Sequence, residues 1–72
     1  MAHYHVRFIK TLCDDTGHPH KCVEGFVDIR RARNQERAVQ AAKRRFERMK
    51  RIPRWELYAD TFELDVRYDD QR

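Results

Sequence analysis

The chain has 72 residues, 40% apolar and 39% charged, with only two glycines and two prolines. That allows one small domain, argues against a disordered segment, and leaves no apolar run near the roughly 20 residues that span a bilayer. The net charge of +4 conceals a division along the chain. Residues 1–29 hold three bases and four acids, residues 30–54 eleven bases and two acids, and residues 55–72 two bases and six acids, giving −1, +9 and −4.

A single core in so short a chain supplies only about 3–5 kcal/mol, and small domains raise that figure with a metal, a disulfide or a partner subunit. Self-association is therefore expected before any motif is read. The N-terminus, Met1-Ala2-His3-Tyr4-His5, lacks the charged start and apolar stretch of a secretion signal. A cytoplasmic location is expected, with Cys13 and Cys22 reduced. Arginine outnumbers lysine twelve to four. Guanidinium forks suit phosphate, although codon bias produces the same excess and arginines also lie outside the basic segment.

Over residues 3–12, Tyr4, Val6, Phe8 and Leu12 share one parity and His3, His5, Arg7 and Ile9 the other, the alternation of a half-buried strand. Asp14-Asp15-Thr16-Gly17-His18-Pro19 is a cluster of turn formers. Over 22–31, Val23, Gly25, Val27 and Ile29 alternate with Glu24, Phe26, Asp28 and Arg30, so the two strands read as a hairpin with a long tip. A helix is predicted over about 35–51. Asn34 suits its N-cap and Glu36 its positive end, while Arg48, Lys50 and Arg51 suit its negative end. Ala38, Val39, Ala42, Phe46 and Met49 follow the spacing of an apolar helix stripe, and Pro53 ends the element.

A third strand is predicted over 54–68. Trp55, Leu57 and Ala59 share one parity and Phe62, Leu64, Val66 and Tyr68 the other, so a β-bulge near Asp60-Thr61 is expected to bring both sets to the core. The tail Asp69-Asp70-Gln71-Arg72 reads as frayed. The expected class is α+β: ββαβ over a single domain 1–72, one amphipathic helix packed on one face of a three-stranded, mostly antiparallel sheet. Strand order 2-1-3 is the simplest closure, with 1-2-3 through a right-handed crossover as its competitor. Either leaves one sheet face bare and the edges unpaired, where small domains meet partners.

At 100° per residue, Arg37, Arg44, Arg48 and Arg51 fall within about 60° of one another on the helix. Arg30, Arg31, Arg33 and Arg54 bracket its ends. Such a row favours phosphates through counterion release, with little regard to base sequence. The ordinary reading of a charged helix face is solvation, or pairing with an acidic strand of another subunit. A solubility face, however, mixes sign to gain i,i+4 pairs, and here Glu36 and Glu47 lie on the flank beside Lys43. The expectation is a small non-enzymatic binding module that contacts RNA or DNA phosphates through Arg30, Arg31, Arg37, Arg44, Arg48, Arg51 and Arg54. The alternative is a homo-oligomeric structural or protein-interaction module. It would use His5, Ile9 and Phe26 on the open face, or the third strand at an edge.

Cys13, His18, His20 and Cys22 lie at spacing C-x4-H-x-H-x-C, four zinc-ligand types on one turn. The spacing matches none of the common paired patterns, so they are expected to be ordinary turn and strand-end residues, with no cofactor. A cross-hairpin disulfide is the other use of the cysteines, disfavoured by the expected compartment. Asp14 and Asp15 beside Cys13 disfavour the thiolate a nucleophile needs. The sequence also lacks a glycine-rich phosphate loop, a metalloprotease histidine pair and a Gly-x-Ser-x-Gly elbow. An enzyme is not expected.

Overall fold

The computed structural model describes residues 2–68; the tail expected to fray lies outside the described residues. The elements are β1 (Ala2–Cys13), β2 (Pro19–Ile29), α1 (Gln35–Lys50), a short 3-10 turn (Trp55–Leu57) and β3 (Thr61–Tyr68). Both partners of β1 run antiparallel to it, in the order β2-β1-β3. This is the ββαβ, α+β fold read from the sequence, with the simpler of the two strand orders.

Alternation along β1 divides the sheet into two faces. Tyr4, Val6 and Phe8 point to the helix and stand opposite Ile29, Val27 and Gly25 on β2, and opposite Val66, Leu64 and Phe62 on β3. The core joins Tyr4, Val6, Phe8, Val27 and Ile29 to Ala38, Ala42 and Phe46 of α1 and to Ala59. Phe8 and Phe46, both fully buried, stack with ring centroids 4.2 Å apart. Burying each such side chain stabilises the fold by about 1.5–3 kcal/mol, so this pair is a large share of a small domain's stability. Gly25 allows the contact: a Cβ there would stand 2.8 Å from Phe46 Cε1. Met49, assigned to the apolar stripe, is 55% exposed in the last turn.

The helix begins as its sequence dictates. The Asn34 side chain accepts a hydrogen bond from the Arg37 N–H at 2.9 Å, satisfying one otherwise free amide of the first turn. It ends one residue earlier than predicted. Arg51 adopts the left-handed conformation (φ 57°), and the Ile52 N–H donates to the Glu47 carbonyl at 3.0 Å.

Three expectations about the strands need correction. The second strand stops at Ile29, so Arg30 and Arg31 belong to the loop leading to α1. A bulge does occur, but in β2: the register passes from Phe8↔Gly25 to Ile9↔Val23, leaving Glu24 as the extra residue. The extra residue reverses the alternation, so Val23 turns to the open face and is 57% exposed. The third strand starts only at Thr61. Trp55–Leu57 forms a turn in which the Ala59 N–H reaches back to the Trp55 carbonyl at 3.2 Å. A helical i→i+4 step, in place of a bulge at Asp60-Thr61, thus brings Trp55 and Ala59 inward and leaves Leu57 55% exposed. Asp60 then fastens the start of β3: its N–H donates to the Ile9 carbonyl, and its carboxylate accepts from the Thr11 N–H, each at 2.8 Å.

Candidate nucleic-acid interface

α1 crosses mainly β2 and β1, with Ala38, Val39, Ala42 and Phe46 inward, so its opposite side faces away from the sheet. Arg37, Arg44 and Arg48 lie on that outer side and are exposed, as are Arg51 at the cap and Arg30, Arg31, Arg33 and Arg54 in the flanking loops. Among the described residues, none of them pairs with a carboxylate within 4.0 Å. From Arg37 to Arg51 the helix rises about 21 Å, a distance that six or so phosphates of one strand span at about 3.4 Å each along a duplex axis. A shallow groove of about 630 Å³ runs beside Arg37, Gln40, Ala41 and Arg44, with Asn34 and Glu36 at its end.

The remaining charged residues of the helix are turned elsewhere. The Glu47 carboxylate accepts a hydrogen bond from the Trp55 N–H at 3.0 Å, which directs it to the turn after the helix and away from the arginines. Lys43 Nζ stands over the Trp55 and Phe62 rings at 5.3 and 5.1 Å, and Lys50 Nζ over the Phe46 and Tyr58 rings at 5.9 and 5.4 Å. The ammonium stems cover apolar margins while the guanidiniums point outward. Arg45 bonds to the sheet, its Nη1 donating to the Asp28 carbonyl at 3.3 Å.

The bare sheet face has the opposite character. Arg7 donates to Asp65 at 2.6 Å and Glu63 at 3.2 Å, and Lys21 lies 3.6 Å from Glu63. His5 Nδ1 and Asp28 Oδ1 are 2.5 Å apart, and the His5 ring packs 5.1 Å from Phe26. The hydrogen bond from Arg7 holds Asp65 below the usual carboxylate range and in turn raises Arg7, while the bond to His5 lowers Asp28. Of the contact surface expected here, His5 is engaged with Asp28 and Ile9 is buried at 2% exposure, leaving Phe26 and Val23 as the apolar side chains open to solvent. Tyr58 lies beneath Lys50 in the turn after α1.

At the hairpin tip the four candidate zinc ligands are not brought together. Cys22 stands opposite Lys10, on the face of Phe8, whereas Cys13 falls at the opposite parity and pairs with Pro19. Strand alternation therefore directs the two sulfurs to opposite faces, and both cysteines are free, which removes the cross-hairpin disulfide. Among the described residues no group of three or more His, Cys, Asp or Glu side chains is placed to hold a metal ion. The histidines are organised by Asp14, a residue the sequence reading passed over as a turn former. Its carboxylate lies 3.0 Å from His20 Nε2 and accepts from the His18 N–H, the Thr16 N–H and the Thr16 hydroxyl at 2.7–2.9 Å. These bonds, led by His20, lower Asp14 to about 2.

No family model matches the chain, and neither a curated protein nor a solved structure matches it. No helix among the described residues is long and apolar enough to cross a membrane. Sequence reasoning missed Asp14, Asp60 and the Arg7–Asp65–Glu63 cluster. The signal for the last was present in the opposed signs of the first and third strands, but it needed the register to become specific.

Proposed function

We propose that this protein is a non-enzymatic binding module that contacts nucleic-acid phosphates through Arg37, Arg44, Arg48 and Arg51, assisted by Arg30, Arg31 and Arg54. The observation that supports this reading most is the separation of charge between the two faces. Carboxylates meet Arg7 and Lys21 on the sheet, and none among the described residues meets the arginines of the helix face. Cations kept unpaired along about 21 Å of rigid helix concentrate positive potential and gain counterion-release energy on meeting a polyphosphate chain. Contacts of this kind position a nucleic acid without reading its bases, so RNA and DNA of varied sequence should bind alike.

Fluorescence anisotropy with single-stranded and duplex oligonucleotides tests the proposal. Binding is expected at about 50 mM salt, with log K falling against log salt at a slope near −3 to −4 if four phosphates are contacted. Absence of binding at low ionic strength, or binding indifferent to salt, would overturn it.

A further inference from the structure

We infer that the outer edge of β3 is a self-association site, at which a second copy of this chain pairs strand to strand across a two-fold axis. The two edges of the sheet differ. β2 carries the devices that discourage edge pairing: Pro19 without an N–H, Lys21, and the bulge at Glu24 that twists the strand. β3 carries none of them. It holds unbroken register with β1 from Thr61 to Tyr68, contains neither proline nor glycine nor lysine, and among the described residues nothing pairs with its other side.

The helix leaves the inner face of β3 incompletely covered. Phe62 and Leu64 are half-buried, while Val66 and Tyr68 are 36% and 75% exposed. An apolar cleft of about 430 Å³ lies between Gln35 and Val39 of α1 and Phe62 and Leu64 of β3.

The residues of β3 are complementary to themselves when two copies run antiparallel. A two-fold interface is reciprocal, so placing Asp65 opposite its own copy sets Glu63 against Arg67 twice on the open face. The same register sets Leu64 against Val66 and Phe62 against Tyr68 on the inner face. Tyr68, the most exposed large apolar side chain, then lies beside Phe62 of the other copy, at the mouth of the apolar cleft. The opposed Asp65 carboxylates are each held by their own Arg7 at 2.6 Å. A slip of two residues one way opposes Glu63 to Asp65, two acids, and a slip the other way shortens the paired stretch. The product is a continuous six-stranded sheet with both helices on one side. This association stands independently of nucleic-acid binding.

Sedimentation of the full chain over a wide dilution series, under reducing conditions, is the test. A dimer is expected, with the dissociation constant raised about tenfold or more by Arg67→Glu, which replaces two attractions by two repulsions. Val66→Lys, which puts a cation on the inner edge, should act in the same direction, both variants keeping the wild-type circular dichroism spectrum. A monomer at every concentration, a dimer unaffected by Arg67→Glu, or a dimer abolished by Phe26→Lys on the open face would each overturn the inference.

Discussion

On the open face of the sheet Arg7 lies between Asp65 and Glu63, and Lys21 reaches the same Glu63; on the outer side of α1, Arg37, Arg44 and Arg48 meet no carboxylate among the described residues. The difference follows from how each element brings residues together. Antiparallel pairing sets β1 directly against the acidic C-terminal segment, so charges distant in sequence become cross-strand neighbours. A helix offers its outer residues only their own i+3 and i+4 neighbours; for Arg44 these are Glu47, whose carboxylate is turned to the Trp55 N–H, and Arg48. A like-charge pair at that spacing costs about 0.2–0.5 kcal/mol. The helix row is thus held against a small intrinsic penalty, whereas the sheet charges support the fold.

Exchanging charge for neutral amide on one face at a time separates the roles of the two faces by the largest margin. Arg37, Arg44, Arg48 and Arg51 all replaced by Gln should weaken oligonucleotide binding about a thousandfold or more at 0.1 M salt, the loss expected for four phosphate contacts. The melting temperature of that variant should stay level or rise. Arg7→Gln with Lys21→Gln should do the reverse, lowering the melting temperature while leaving affinity nearly intact. Equal affinity losses from the two variants would mean that only net charge matters and that the faces do not differ.

Elements set by a local pattern are legible in the sequence, and those set by pairing between distant segments are not. Tyr4, Val6 and Phe8 alternate without interruption, and Asn34 and Pro53 mark the helix ends, so β1 and α1 followed directly. The bulge in β2 was hidden because Val23, Gly25, Val27 and Ile29 keep perfect alternation in sequence; only Gly25, alone inside a strand pattern, hinted at it. Around Trp55 the sequence did show a change of parity. Both a bulge and a helical turn produce such a change, and the packing of Trp55 against Phe8 and Phe62, at 5.7 and 5.9 Å, goes with the second. The arginine row needed nothing beyond helical period. The engagement of the sheet cations needed the register, which no single segment contains.

Acidification acts on the sheet side through its carboxylates. Asp28 and Asp65 titrate below the usual carboxylate range in the folded protein, through His5 and Arg7 respectively, and Asp14 at about 2 through His20 and Thr16. A carboxylate whose folded pKa is depressed adds stability that is fully present above its unfolded value, near 3.8, and lost as pH falls through the folded one. Melting temperature should therefore decline as pH drops from about 4 toward 2, and Asp65→Asn should flatten part of that decline. Carboxyl carbon shifts followed by NMR would show which group titrates where. A flat profile over this range would remove the sheet pairs from the stability of the fold.

The smallest effect sits where the helix face meets a backbone constraint. Arg51 closes α1 at φ 57° and ψ 49°, a conformation in which a Cβ costs about 1–2 kcal/mol and which glycine adopts freely. Part of that gain is offset by the greater freedom of glycine in the unfolded chain, so Arg51→Gly should stabilise by about 0.5–1 kcal/mol. In a domain of this size that raises the melting temperature by about 2–8 °C. The same change removes one guanidinium from the row, and affinity for an oligonucleotide at 0.1 M salt should fall about eightfold. A variant that is both more stable and a weaker binder would show that the cap position is occupied by arginine for its surface contact. A gain in stability with unchanged affinity would instead confine the phosphate contacts to Arg37, Arg44 and Arg48, on the regular turns of the helix.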